Sequence, residues 1–229
     1  MKKKLWIIFF LIITVMAAAA ASVYIQFAAV TEGEPIPEYS VNNPALLVID
    51  IQEGLSGSSS WGFYKGYAHQ SEELIASVNR TIESAVMSGM TVVYICHEDT
   101  NPLVKLVTGS HMVKGKAASA IDKRVKIVSD NIFIKHIMDG FSNEALHKFL
   151  TANKINTLYM TGLDAEYCVY RTSLAAEKRG YTVNLIEDAV ISSTVENKFN
   201  MLKKYKSKGI NIIKAEDFKS LSHAVINKN

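Results

Sequence analysis

The chain has 229 residues and a formal net charge of +3, from 25 lysines and arginines against 22 aspartates and glutamates. Because residues 2–4 are all lysine, the rest of the chain is neutral, which gives no electrostatic basis for binding nucleic acid or an anionic membrane surface. The length that follows the N-terminal apolar segment is typical of one α/β domain.

The N-terminus is the first predicted element. Three lysines precede a stretch, Leu5–Val30, that has no charge and is long enough to cross a hydrocarbon core of about 30 Å as a helix. We therefore predict a cytoplasmic stub over 1–4, a single transmembrane anchor over 5–30 and an extracytoplasmic domain. A signal peptide is the alternative, since Leu5–Met16 has the right character for its apolar region. Cleavage near Ala21 would then release a secreted or periplasmic protein.

The remaining chain divides into a linker and one domain. Residues 31–43 hold two of the four prolines and predict a linker, and the domain covers 44–229. Apolar runs in this domain predict strands at Ala45–Ile51, Thr91–Cys96, Ile132–Ile134, Thr157–Met160, Tyr181–Ile186 and Gly209–Ile213. Helical periodicity predicts helices at Glu72–Ser88, Asn143–Ala152, Tyr167–Lys178 and Val195–Lys206. This alternation predicts a single three-layer α/β/α, Rossmann-like domain with about six mostly parallel strands and helices on both faces.

Three chemically active side chains stand where predicted strands end. Asp50 closes one strand, Lys135 follows another, and Cys168 lies in the first turn of the helix after a third. The start of a helix favours thiolate over thiol, so we expect Cys168 to be partly exposed with a lowered pKa. Alone, each residue has an ordinary interpretation as a buried cysteine, a turn-capping aspartate or a surface lysine. Together, a base, a cation and a thiol suit nucleophilic attack on a carbonyl group.

With these residues the chain resembles the isochorismatase-like cysteine hydrolases, which include nicotinamidases, N-carbamoylsarcosine amidases and ureidoacrylate amidases. The matching segments within Pro44–Phe218 are LLVIDIQ at Leu46–Gln52, FIKHIMDGFSNEAL at Phe133–Leu146 and TGLDAEYCVYRTSLAAEKRGYTV at Thr161–Val183. The last segment is the most specific of the three.

The resemblance implies a role for each site residue. Cys168 would be the nucleophile, Asp50 the general base, and Lys135 the cation that keeps Asp50 ionised. A cis peptide bond would join Leu163 to Asp164. It would aim the backbone N–H of Asp164, beside that of Cys168, at the developing oxyanion.

Two long loops, 53–70 and 101–117, are expected to be functional or mobile, and the sequence leaves open whether they form a lid. The first carries Trp61, Phe63 and Tyr64, which either line an apolar pocket or pack the loop onto its own domain. The resemblance makes Leu55 the best candidate for a wall of the substrate pocket, and Gln52 and Tyr167 are also assigned to that pocket.

A metal site is not expected. Nicotinamidases carry an Asp-x-His pair with further histidines, whereas here the strand Thr91–Cys96 leads into His97-Glu98-Asp99 with no second histidine at a ligating spacing. His97 is therefore interpreted as a pocket or loop residue, and no cofactor is predicted.

Acyl chemistry on a small amide, ureide or carbamoyl compound is the function that the sequence favours. Two alternatives stay open: a catalytically inactive, tethered binding or scaffold protein of the same fold, and a vinyl-ether hydrolase, which needs the acid but not the thiol. Intact Asp50, Lys135 and Cys168 favour the amide hydrolase. The expected partner is a small-molecule substrate, and the resemblance leaves a homo-oligomer open because such hydrolases commonly form dimers or tetramers.

Overall fold

The computed structural model describes residues 2–60 and 62–218. Trp61 and the predicted end of the domain, 219–229, lie outside the described residues, as does the side chain of Phe63. The pocket role considered for Trp61 and Phe63 therefore stays a prediction.

Within the described residues, six strands form one sheet in which every pairing is parallel. They are β1 (Pro44–Ile49), β2 (Thr91–His97), β3 (Ile132–Lys135), β4 (Thr157–Gly162), β5 (Thr182–Val190) and β6 (Asn211–Ile213). Their order is β3-β2-β1-β4-β5-β6. Strands are therefore added towards one edge up to β3 and towards the other edge from β4 on, and this order reverses between the neighbours β1 and β4. In such sheets the crevice at this reversal, outside the carboxyl ends of the strands, is where ligands bind.

The residues that the structure describes also form seven α-helices. They are α1 (Lys2–Ala28), α2 (Lys65–Ala68), α3 (Ser71–Met87), α4 (Pro102–Val107), α5 (Glu144–Ala152), α6 (Cys168–Lys178) and α7 (Val195–Ser207). Alternate residues of β1 enter two separate apolar clusters, one shared with α3 and the other with α5, α6 and α7. This period of two places a helical layer on each face and confirms the predicted three-layer fold.

Two short helices lie in segments that were predicted to be loops. α2 occupies part of 53–70, and α4 occupies part of 101–117. The sequence carries a signal for α4, because Pro102 stands at its first position and the side chain of Asn101 accepts hydrogen bonds at its N-terminus. A run of six residues is too short for a helical apolar pattern to be recognised.

The segment 31–43, which the sequence predicts to be a linker, is bound to the domain at its start. Thr31 donates from its backbone N and from Oγ1 to Oδ2 of the buried Asp139, at 2.8 and 2.6 Å. The guanidinium of Arg179 donates to the carbonyl oxygens of Thr31 and Glu32 at 2.9 and 2.8 Å. Burying a carboxylate without hydrogen-bond donors costs free energy, so the hydrogen bonds to Asp139 favour the bound position of this segment.

Candidate active site

Asp50 lies immediately after β1, at the reversal point of the sheet. Its backbone N donates to the carbonyl oxygen of Ile95 at 2.8 Å, and its φ of +52° lies in the left-handed region. A non-glycine residue in that region costs of the order of 1 kcal/mol and persists only where its surroundings enforce it. The residue is 1% exposed, so its carboxylate is held in a protein interior rather than in solvent.

Lys135 supplies the positive charge that this carboxylate needs. Its Nζ lies 2.8 Å from Oδ2 of Asp50 and 3.2 Å from Sγ of Cys168, and it donates to the carbonyl oxygen of Ile137 at 3.2 Å. Burial lowers the pKa of Lys135, but the negative charge of Asp50 outweighs burial and raises that pKa above its usual range. The lysine therefore stays protonated although it is only 1% exposed.

Cys168 is the first residue of α6, as predicted, but its environment differs from the expectation. The residue is 7% exposed, and its Sγ touches the Sδ of Met138 at 3.1 Å. Burial raises the pKa of the Cys168 thiol, the negative charge of Asp50 raises it further, and Lys135 only partly opposes both. The prediction that Cys168 is partly exposed and has a lowered pKa is wrong, because the cost of burying the thiolate outweighs the favourable effect of the helix start.

The resting site is therefore an aspartate–lysine ion pair beside a neutral thiol. Oδ2 of Asp50 forms the ion pair with Lys135. Oδ1 is fully buried and accepts no hydrogen bond within the described ranges. A neutral thiol needs a base to take its proton before sulfur can act as a nucleophile.

The turn before Cys168 holds the two backbone groups expected to bind an oxyanion. The peptide bond between Leu163 and Asp164 is cis. Among the described residues, the N–H groups of Asp164 and Cys168 donate to no protein acceptor. The Asp164 side chain instead accepts from the backbone N of Glu166 and from the hydroxyl of Ser192, and burial raises its pKa.

The three predicted pocket residues have different surroundings. Gln52 is completely buried and donates to the carbonyl oxygens of His97 and Ser119 at 3.0 and 2.7 Å, so it joins the exits of β1 and β2 rather than lining a pocket. Leu55 is 9% exposed and belongs to the core cluster packed against α3. Tyr167, directly before Cys168, is 37% exposed, whereas Gln52 and Leu55 are buried.

His97 lies inside the site, which the sequence left undecided. Its Nδ1 is 3.4 Å from Nζ of Lys135, and its Nε2 is 2.9 Å from Oδ1 of Asp99. The register of β2 and β3 pairs His97 with Lys135, a neighbourhood that strand spacing alone does not reveal. Within the described ranges, no three His, Cys, Asp or Glu side chains are placed to hold a metal ion together.

The end of α1 also reaches the site, and no sequence signal predicted it. Gln26 is 3% exposed, and its Nε2 donates to the carbonyl oxygen of His136 at 2.7 Å. The backbone carbonyl oxygen of Gln26 accepts a hydrogen bond from the backbone N of Met138 at 3.1 Å. The ring of Phe27 meets that of Tyr167 edge to face at 6.5 Å. The end of α1 thus contacts Met138, which touches the Cys168 sulfur, and Tyr167, which precedes Cys168 in the chain.

Iodoacetamide should label Cys168 slowly near neutral pH, because the thiol is buried and its raised pKa leaves little thiolate. Met138→Ala removes the thioether that touches Sγ and should raise this rate, because access to the sulfur then improves. The rate should keep rising as the pH passes 9.0, the ordinary thiol value. Mass spectrometry of the labelled peptides measures both effects.

Cys96 is the internal control for this measurement. It is 3% exposed, and burial raises its pKa to about 12, so its labelling should be slow and insensitive to Met138→Ala. Complete labelling of Cys168 at pH 7 in the unsubstituted protein would instead support the lowered pKa that the sequence predicts.

Comparison with known proteins places this geometry in context. Residues 44–217 match the family model described as the isochorismatase domain. The chain is 28% identical over 146 residues to an uncharacterised isochorismatase family protein, YrdC, of Bacillus subtilis, covering 63% of this chain and 72% of that protein. A secreted isochorismatase effector, Isc1, of Phytophthora sojae is 25% identical over 186 residues, covering 80% of this chain and 77% of the relative.

Solved structures show the same architecture. The N-carbamoylsarcosine amidase of Thermoplasma acidophilum superposes with a TM-score of 0.62 at 27% identity, covering 76% of this chain and 96% of that one. The likeness extends over nearly the whole amidase.

Proposed function

The chain belongs to the isochorismatase family of hydrolases, and we propose that it is a cysteine hydrolase that cleaves a C–N bond in a small amide, ureide or carbamoyl compound. One observation carries the proposal: Nζ of Lys135 lies between Oδ2 of Asp50 and Sγ of Cys168, at 2.8 and 3.2 Å. A base, a cation and a nucleophile then meet at the reversal point of the sheet. The likeness to an N-carbamoylsarcosine amidase supports the choice of a C–N bond.

In the proposed first step, the thiol proton moves to Asp50 as sulfur attacks the carbonyl carbon. The C=O electrons become an oxyanion, which the N–H groups of Asp164 and Cys168 stabilise, each typically by about 3 kcal/mol. The tetrahedral intermediate then collapses, and Asp50 gives the proton to the departing amine. A thioester on Cys168 and a free amine or ammonia are the products of this step.

The second step releases the acyl group. Asp50, again a carboxylate, accepts a proton from water as that water attacks the thioester. Collapse of the second intermediate breaks the C–S bond, yields the acid and returns the proton to sulfur. Lys135 keeps its own proton throughout and compensates the charge that passes between Asp50 and Cys168, which is consistent with its raised pKa.

A substrate screen tests the proposal. The purified full chain in detergent should release ammonia from at least one member of a panel of small primary amides, ureides and carbamates. Asp50→Asn, which keeps the shape of the side chain but cannot take the proton, should release none. A panel on which both proteins are equally inactive, or equally active, would contradict the proposal.

We further propose that α1 remains on the mature protein as a membrane anchor with its amino end inside. In support of this, the segment Lys3–Ala28 of α1 is long and apolar enough to span a membrane. A signal sequence passes the same test, and the name of the Phytophthora sojae relative includes secretion, which agrees with export by either route.

Fractionation with N-terminal sequencing decides between anchor and signal peptide. We expect Met1-Lys2 on a protein that resists carbonate extraction, because so long an apolar segment exceeds the about 7–15 residues of a cleavable apolar region. A soluble protein beginning near Ser22 would establish cleavage instead.

Catalysis is also expected to need no metal, because the proposed nucleophile and its base are both protein side chains. Extended treatment with EDTA should leave the ammonia-releasing activity unchanged. Loss of activity that zinc or iron restores would contradict this, and substitution of His97 and Asp99 would then identify the ligands.

A further inference from the structure

The short helix α4 presents an apolar face to the surroundings. Leu103, Leu106 and Val107 lie at helical spacing on one side and are 37%, 80% and 73% exposed, while Val104 packs inward at 8%. Exposed apolar side chains concentrated on one helix face usually mark a surface that meets something apolar.

The position of α4 relative to α1 identifies what that surface meets. The side chain of Asn101 caps α4 by accepting from the backbone N of Leu103 and donates from Nδ2 to Oγ of Ser22 in α1, both at 2.9 Å. At about 1.5 Å per residue, a helix that enters the hydrocarbon core at Leu5 leaves it about 20 residues later, near Tyr24. Asn101 therefore lies at the depth of the outer membrane interface.

The residues around this level suit an interface. Tyr24 and Phe27 are 67% and 37% exposed, and aromatic side chains favour the level of the lipid headgroups. Although the domain as a whole is neutral, the segment from Thr100 to Ile121 contains three lysines and no acidic residue. Two of these lysines, Lys114 and Lys116, are exposed and can meet anionic headgroups.

Residues beside Cys168 contact α1 at the same level. Gln26 binds the backbone of Met138, whose thioether touches Sγ of Cys168, and Phe27 meets Tyr167, the residue before it. A substrate that passes Tyr167 or Met138 therefore approaches from the side where α1 leaves the bilayer.

We propose that α4 inserts its apolar face into the outer leaflet beside α1, and that the Cys168 site takes its substrate from the membrane surface. The substrate class is then an amphiphilic amide, with an apolar chain in the leaflet and its amide group at the interface. This inference rests on the proposed amide hydrolysis and on the retention of α1. It explains why the end of the anchor is built into the site.

Spin labels test the position of α4 without requiring activity. The full chain is reconstituted in vesicles of phosphatidylcholine with a minor fraction of phosphatidylglycerol. A nitroxide on Val107→Cys should collide with oxygen in the bilayer and be shielded from a water-soluble nickel chelate. The same label on Val41→Cys, at the amino edge of the sheet, should be open to the chelate, although the two valines are 73% and 71% exposed.

The unsubstituted protein, whose two cysteines are buried, is the labelling blank. A chelate-accessible label at Val107, or spin–spin broadening that reports contact with a second copy, would overturn the insertion of α4.

A rate ratio tests the substrate class. Leu106→Glu should lower the rate on vesicle-bound decanamide relative to water-soluble propanamide by about tenfold, while Val41→Glu should leave the ratio unchanged. An unaltered ratio in Leu106→Glu would overturn the amphiphilic substrate. Inactivity of the unsubstituted protein on both amides would count against the proposed function, and the spin labels would still decide the position of α4.

Discussion

Cys168→Ser should lower kcat/KM on any amide that the unsubstituted protein hydrolyses by about 10⁴-fold or more, the scale seen when a nucleophile is removed from a catalytic triad. A hydroxyl is a far weaker acid than a thiol, and the single carboxylate of Asp50 is too weak a base to deprotonate it. The loss should appear in kcat, because the serine occupies nearly the same volume and leaves the entrance unchanged. Steady-state ammonia release measures it.

Cys96→Ser is the matched control for this experiment. Cys96 is also buried, at 3% exposure, but it lies within β2 rather than at the start of a helix beside Lys135. The control should retain its kcat, even if the buried hydroxyl reduces stability by about 1–3 kcal/mol. Equal losses in the two variants would show that stability, and not nucleophilic attack, explains the effect at Cys168.

The fold could be predicted from the sequence because its signals are local. Each buried strand is a short apolar run, and helical periodicity placed the four longer helices of the domain within one or two residues of their observed ends. Asp50, Lys135 and Cys168 were predicted together for the same reason, because each stands beside a strand end and parallel strands end at one edge.

The environment of the site could not be predicted, because it depends on contacts distant in the chain. Gln26 lies 110 residues from His136, to which it donates, and nothing near it in sequence indicates that partner. The Met138 contact with Cys168 likewise arises from the loop after β3, whose path no local pattern specifies. Burial by these residues reverses the expected direction of the Cys168 pKa shift.

The buried ion pair of Asp50 and Lys135 should contribute to both stability and activity, and Lys135→Met should remove both contributions. Asp50 and Lys135 are each 1% exposed, so removing the lysine leaves a carboxylate buried without its counter-charge. Removing one partner of a buried pair typically costs about 3–5 kcal/mol of unfolding free energy. Activity should be lost as well, because the thiolate formed during attack would have no cation beside it. Urea unfolding of the detergent-solubilised chain and ammonia release measure the two effects.

The double variant Asp50→Asn/Lys135→Met distinguishes the ion pair from a general packing defect. It buries no charge, so its unfolding free energy should return to within about 1–2 kcal/mol of the unsubstituted protein, while activity remains absent. The pKa of Lys135 is raised above its ordinary 10.5, so the stability that its protonation contributes is complete below that pH and is lost as the pH rises towards the folded-state value. Above about pH 10.5, the unfolding free energy of the unsubstituted protein should therefore fall relative to that of the double variant. A double variant as unstable as Lys135→Met, or a difference in unfolding free energy that does not change with alkaline pH, would show that the pair contributes packing rather than charge.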